Sequence, residues 1–279
     1  MRILAVTNQK GGVGKTTTSV NLAASLAYLG QNVLLIDLDP QGNATMGSGV
    51  DKREVSLTAY ACLMEKRPLS QVAIPVPQGD YRIVPSNSEL TAAEVELLHV
   101  GERERRLQLA LQGEDFDWVL IDCPPALNML TVNALTASHG VIIPIQCEYY
   151  ALEGLSDLLG TIEQVREELN PDLHIEGVVR TMYDPRNRLA NEVSAQLERH
   201  FGDQLYRTPI PRNVRLAEAP SYGLPAIHYD PGSVGAQAYF ALAGEILKKE
   251  VPAGKRWRLW WKNMQMRMKR AQRESVDGA

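Results

Sequence analysis

Lys10-Gly11-Gly12-Val13-Gly14-Lys15-Thr16-Thr17 decides how this chain is read. The apolar run Ile3-Leu4-Ala5-Val6 comes directly before it, and a helix-like stretch over residues 19–29 follows. A strand, a glycine loop and a helix in that order wrap a phosphate chain. Gly11, Gly12 and Gly14 let the backbone take positive φ and approach the phosphates closely. The backbone N–H groups of the loop, Val13 and Thr17 included, then point at the anion together with the N-terminus of the helix. Lys15 is expected to reach the β- and γ-phosphates, and the Thr16 hydroxyl to ligate Mg²⁺. The common pattern G-x-x-x-x-G-K-[ST] asks for glycine at position 9, but this chain has Gln9 and adds a second lysine, Lys10. The stretch predicts a seat for a nucleoside triphosphate.

Two further strings end apolar runs in carboxylates. Leu34-Leu35-Ile36-Asp37-Leu38-Asp39-Pro40-Gln41-Gly42-Asn43 puts two acids at the same end of a sheet as the glycine loop. Period-two alternation predicts Asp37 and Asp39 on one side, facing the nucleotide. A carboxylate there can orient the attacking water or hold the water shell of the metal. Val119-Leu120-Ile121-Asp122-Cys123-Pro124-Pro125 is a buried strand whose Asp122 is placed to hold Mg²⁺ through water. The two prolines deny this strand further ladder bonds and fix its exit.

The fold class follows from alternation. Residues 3–6, 33–36, 118–121, 141–145 and 175–179 are short, nearly continuous apolar runs, as expected of parallel strands buried on both faces. Helical patterns fall between them at 19–29, 102–111, 131–137, 153–169 and 191–200. The prediction is α/β: a mostly parallel central sheet with helices on both faces and ligands at the carboxyl ends of the strands. Residues 46–84, with Pro68, Pro75 and Pro77, read as a helical excursion before 81–84 rejoins the sheet. The last helix of the domain is expected at 234–249.

Composition agrees. The chain has 279 residues, 44% of them hydrophobic and 22% charged, as in a soluble globular protein with a full core. Cys62, Cys123 and Cys147 form no C-x-x-C pair and suit a reducing cytoplasm. The first residues enter a strand at once, so no export signal is expected, and no apolar run reaches the length of a membrane span.

The extra lysine also points to a family. Lys-Gly-Gly-x-Gly-Lys-Thr-Thr resembles the deviant Walker A loop of the ParA/MinD class of P-loop ATPases. The string Asp37-Leu38-Asp39-Pro40-Gln41-Gly42-Asn43 is similar to the ParA/Soj partitioning branch in particular, as is Asp122-Cys123-Pro124-Pro125 followed by Leu130-Thr131-Val132-Asn133-Ala134-Leu135. Met182-Tyr183-Asp184 and Ile210-Pro211-Arg212-Asn213-Val214-Arg215 continue the likeness, which spans residues 1–250. The resemblance implies ATP and Mg²⁺ as cofactors and a homodimer formed on ATP binding, with Lys10 reaching the nucleotide of the other subunit. It ties Asp39 to hydrolysis and gives Asp37 a supporting role toward loop and metal. It places Met182, Pro211 and Asn213 at the adenine. It further implies nonspecific DNA binding through arginines, here Arg186, Arg188, Arg212 and Arg215. A ParB-type adaptor that stimulates slow hydrolysis, in the cytoplasm at the nucleoid, completes the expectation. A nitrogenase iron-protein-type reductase would need cluster cysteines in glycine-rich settings, which these three do not have.

Residues 251–279 depart from that pattern. Eight Lys/Arg against two Asp/Glu lie between Gly254 and Ala279, which leaves a net charge of −10 on the rest. At 100° per residue, Trp257, Trp260, Trp261, Met264, Met268 and Ala271 fall on one face, with Lys255, Arg258, Lys262, Lys269, Arg270 and Arg273 opposite. Such a basic amphipathic tail fits a membrane surface, added nucleic-acid contact or packing onto the acidic body. The first of these would suit a MinD-like ATPase that cycles on membranes. The Asp-Pro-Gln-Gly-Asn and Pro-Arg-Asn-Val-Arg strings favour partitioning.

Overall fold

A seven-stranded sheet organises the chain, described by the computed structural model over residues 1–252, side chains of 152 and 153 apart. The strands are β1 (Arg2–Val6), β2 (Val33–Asp37), β3 (Ile74–Pro75), β4 (Arg82–Val84), β5 (Trp118–Asp122), β6 (Gly140–Gln146) and β7 (His174–Thr181). Their order is β3-β4-β2-β5-β1-β6-β7, parallel throughout except for the short β3 against β4. The helices are α1 (Lys15–Tyr28), α2 (Asn43–Gly47), α3 (Ala59–Met64), α4 (Leu69–Val72), α5 (Leu90–Glu96), α6 (Arg106–Ala110), α7 (Met129–Ala137), α8 (Ala151–Glu168), α9 (Arg188–Phe201), α10 (Val214–Glu218), α11 (Ala226–Tyr229) and α12 (Val234–Ile246).

Each central strand is apolar between its ends because both faces are covered. Ile3, Ala5, Leu34, Ile36, Val119 and Ile121 join one core with residues of α3, α7, α8 and α9. Their alternating neighbours Leu4, Val6, Val33, Leu35, Trp118 and Leu120 join the other, against α1 and α12. Burying a Leu or Ile side chain contributes about 1.5–3 kcal/mol, so these two layers dominate the stability of the fold.

The parallel strands are those read from the sequence, the short antiparallel β3 is an addition, and the boundaries differ in instructive ways. Helix α1 starts at Lys15 rather than 19, since Gly14 adopts the left-handed cap (φ 89°) and the polar Lys-Thr-Thr-Thr run forms the first turn. The helix expected over 102–111 shrinks to Arg106–Ala110, because Glu102 sits at φ 56° and closes a turn instead. Helix α9 begins at Arg188, where Asn187 Oδ1 accepts from the N–H groups of Leu189 and Ala190. The final helix ends at Ile246, and Lys248 (φ 52°) makes the exit. The proposed tail lies, from residue 253, outside the described residues. Cys62, Cys123 and Cys147 are all buried and unpaired with one another.

Candidate functional site

Topology gathers the predicted strings at one edge. Val6 and Asp37 both pair in register with Asp122, so β1, β5 and β2 end side by side and their exits converge. The loop after β1 turns at Gly12 (φ 75°) and Gly14 (φ 89°), a conformation that asks for glycine. Helix α1 has neither a side-chain cap nor an acid in its first turn, so its leading N–H groups and positive dipole end remain available to an anion. The loop is held from behind: Thr181 Oγ1 donates to the Val13 carbonyl at 2.7 Å, and Asn8 Nδ2 to the Pro144 carbonyl at 2.8 Å.

Lys15 is 7% exposed, and its ammonium donates to the Lys10 carbonyl at 3.1 Å. Burial pushes its pKa below the usual lysine value, while the charges of Asp122 and Asp39 pull it back up. Lys10 pairs with Glu148 at 2.8 Å.

Three acids gather at this end of the sheet in different roles, and the charges of Asp122 and Asp39 reach this lysine. Asp37 is fully buried and saturated: Oδ2 accepts from Thr45 N at 2.8 Å and Thr45 Oγ1 at 2.7 Å, and Oδ1 from Asp39 N at 3.2 Å. Burial raises its carboxyl to about 6. Asp122 is buried too, and its carboxyl is raised to about 8 by burial first and by the Asp37 charge second. Its Oδ1 accepts from Ser19 Oγ at 2.8 Å, the nearby Thr16 hydroxyl lowers its pKa, and Oδ2 has no partner. A buried carboxylate oxygen without a donor, beside a threonine hydroxyl, has the chemistry to take a hard divalent cation or its water shell, so these residues fit Mg²⁺. Asp39 lies beyond the end of β2. Its N–H donates to Asp37 Oδ1, which keeps the two acids together. Gln41 N donates to Asp39 Oδ1 at 2.9 Å and Ser86 Oγ to the Asp39 carbonyl at 2.6 Å, which fixes the carboxylate.

Sequence reading missed this supporting frame. Thr45 Oγ1 serves two partners at once, donating to Asp37 and accepting from Ser86 N at 2.9 Å. Thr45→Val keeps the shape and strips both bonds. With two buried polar groups left short of a partner, at about 1–3 kcal/mol each, denaturant unfolding should show a loss of about 2–4 kcal/mol. An unchanged midpoint would remove Thr45 from the frame.

On the other side of the loop lies a cavity of about 180 Å³, largely apolar, lined by Gly14, Thr17, Met182, Pro211, Asn213 and Leu216 among others. Met182 adopts φ 49°, and Tyr183 N bonds the Ile210 carbonyl at 3.0 Å, tying the exit of β7 to the segment before Pro211. Asn213 Oδ1 is buried without a partner. A flat apolar slot with one unsatisfied amide suits a purine ring and its polar edge. A larger groove, about 1000 Å³, runs along β7 between Glu176, Arg207, Glu245 and Lys249. It is mixed in charge and does not include the glycine loop or the three acids, so the smaller cavity is the better base site.

The four arginines separate. Arg186 is bound in two places by Asp184, Arg188 by Glu192 at 2.9 Å, and Arg215 by Glu218 at 2.7 Å and Asp230 at 3.2 Å. Arg212 is exposed, beside the base cavity, and forms no ion pair among the described residues.

The AAA domain family matches residues 1–175. The sporulation initiation inhibitor protein Soj of Bacillus subtilis (strain 168) is 51% identical over 247 residues, covering 88% of this chain and 98% of that protein. The chromosome partitioning protein ParA of Caulobacter vibrioides is 48% identical over 254 residues, 90% of this chain and 95% of the other. Among solved structures, cobyrinic acid a,c-diamide synthase from Mycobacterium smegmatis with bound ADP and magnesium superposes with TM-score 0.78 at 38% identity, covering 88% and 94% of the two chains. With the loop, the paired carboxylates and likeness along nearly their whole length in agreement, the chain belongs to the ParA/Soj family of chromosome-partitioning ATPases.

Proposed function

We infer that this protein is an ATP-driven dimeric switch that binds DNA without sequence preference in its ATP form and moves a chromosome, plasmid or comparable cargo. The observation that carries the reading is the convergence of Lys15, Asp39 and Asp122 on the uncapped start of α1, in a chain about half identical to named partitioning proteins. Gly11, Gly12, Val13, Gly14 and Thr17 seat the triphosphate by their N–H groups, and Lys15 neutralises its β- and γ-oxygens. Thr16 and Asp122 hold Mg²⁺, with Asp37 supporting from behind, and the metal when bound offsets charge on those oxygens. Asp39 orients the attacking water. Met182, Pro211 and Asn213 enclose the adenine. Lys10 is the second cation of the site and acts on the nucleotide of the partner subunit, so that ATP joins the two copies.

Hydrolysis, slow by itself and speeded by a ParB-type adaptor, releases the DNA. Arg212 leads the DNA surface because among the described residues it has no ion pair to give up. Arg186, Arg188 and Arg215 must each leave a carboxylate first, at about 0–1 kcal/mol for such exposed pairs. No helix among the described residues is long and apolar enough to cross a membrane. The relatives account for 95–98% of their own length but only 88–90% of this chain, so it carries residues they lack. A membrane surface for the basic tail remains a second contact, tested by adding anionic vesicles to the chain cut at 252.

Arg212→Ala tests the DNA surface. Plain duplex binding with ATP should weaken about 5–10-fold, and the slope of log affinity against log salt should fall by about one. Loss of affinity without a change in slope would mean that Arg212 acts through the base cavity instead.

A further inference from the structure

Both cations of the glycine loop already have partners within the chain. Lys15 Nζ bonds the Lys10 carbonyl, and Lys10 Nζ bonds Glu148 Oε2 at 2.8 Å. Glu148 follows β6, the strand beside β1, and the two exits are stapled twice: by Asn8 Nδ2 to the Pro144 carbonyl and by the Lys10–Glu148 pair. The backbone of Lys10 is fixed as well, its N–H donating to Asn8 Oδ1 at 3.0 Å. Only the long side chain of Lys10 is left to choose, and Glu148 now has it.

We propose that Glu148 is a positioning residue that holds the Lys10 ammonium on the β6 side of the loop and competes with phosphate for it. The inference rests on the phosphate seat assigned above. In the ATP-joined dimer the partner subunit's triphosphate brings several negative charges to Lys10, against one on Glu148, so the nucleotide wins the lysine, at the cost of breaking the pair. That cost is modest. The two side chains are 37% and 48% exposed, and ion pairs of this kind hold one another only weakly. Glu148 therefore acts as a light brake: Lys10 stays docked until the partner subunit's triphosphate, rather than a passing anion, reaches it. The same contact keeps the ammonium from wandering toward the buried acids, whose field already reaches Lys15.

The test is calorimetric titration of Mg·ATPγS into the full chain and three variants, Glu148→Gln, Lys10→Ala and the double substitution. Glu148→Gln should tighten binding about two- to five-fold, the range expected from an exposed ion pair. In the Lys10→Ala background the same change should have no effect, and in the parent the gain should shrink as salt is raised. Unchanged or weaker binding in Glu148→Gln would overturn the proposal. So would an equal gain without Lys10, which would mean plain repulsion between carboxylate and phosphate. Should Glu148→Gln fold poorly, Glu148→Asp carries the comparison, since its carboxylate stands one methylene short of Lys10. If Lys15→Ala leaves affinity intact, the phosphate seat itself is misplaced. If Lys15→Ala abolishes binding while Glu148→Gln is silent, only the brake fails.

Discussion

Lys15→Ala should lower ATP affinity on the order of 10³-fold, the usual consequence of removing one member of a buried charge pair. Lys15 is 7% exposed, and burial already depresses its pKa, so its ammonium is a poorly hydrated charge for which a phosphate oxygen is a strong partner. The acids of the site enlarge the effect. Asp37, Asp39 and Asp122 are all buried, and Lys15 is the buried cation that Asp122 and Asp39 act on. Without it, an incoming triphosphate meets buried carboxylates with no buried counter-charge beside them. Titration with Mg·ATP measures this directly, and an affinity within about three-fold of the parent would sink the assignment.

Asp39→Ala should separate binding from hydrolysis. Its carboxylate is fixed at one oxygen by Gln41 N, and its main chain by Ser86 Oγ, so it makes few contacts on which the fold depends. Asp37 does the opposite, with both oxygens spent on Thr45 and Asp39. Loss of a residue that positions the attacking water lowers turnover by about 10²–10⁴-fold. ATP binding should survive in Asp39→Ala, leaving the protein held in its ATP state on DNA. Phosphate release at the parental rate would show that another group orients the water.

The sheet was legible because buried parallel strands write themselves as unbroken apolar runs. Residues 118–121 and 141–145 could not be anything exposed, and the structure buries them on both sides. The glycine loop, Asp37 and Asp122 were legible for a similar reason: a charged residue ending such a run has little purpose except at a site. What stayed hidden depends on long separations or on very short elements. Thr45 and Ser86 are 41 residues apart and meet only once β4 lies beside β2. Strand β3 is two residues long and leaves no periodicity. The first turn of α1 is polar because Lys15, Thr16 and Thr17 sit at the site and Thr18 meets Tyr239 Oη, which hid its start from a search for apolar spacing. Glu148 belongs to no motif, and its meeting with Lys10 follows only from β6 lying next to β1.

Sedimentation of the full chain with plain duplex DNA, in ATP and in ADP, tests the switch most directly. The account predicts DNA-bound protein with ATP that is released with ADP, and retained with ATP in Asp39→Ala. Equal binding in both nucleotides, or none in either, would contradict it.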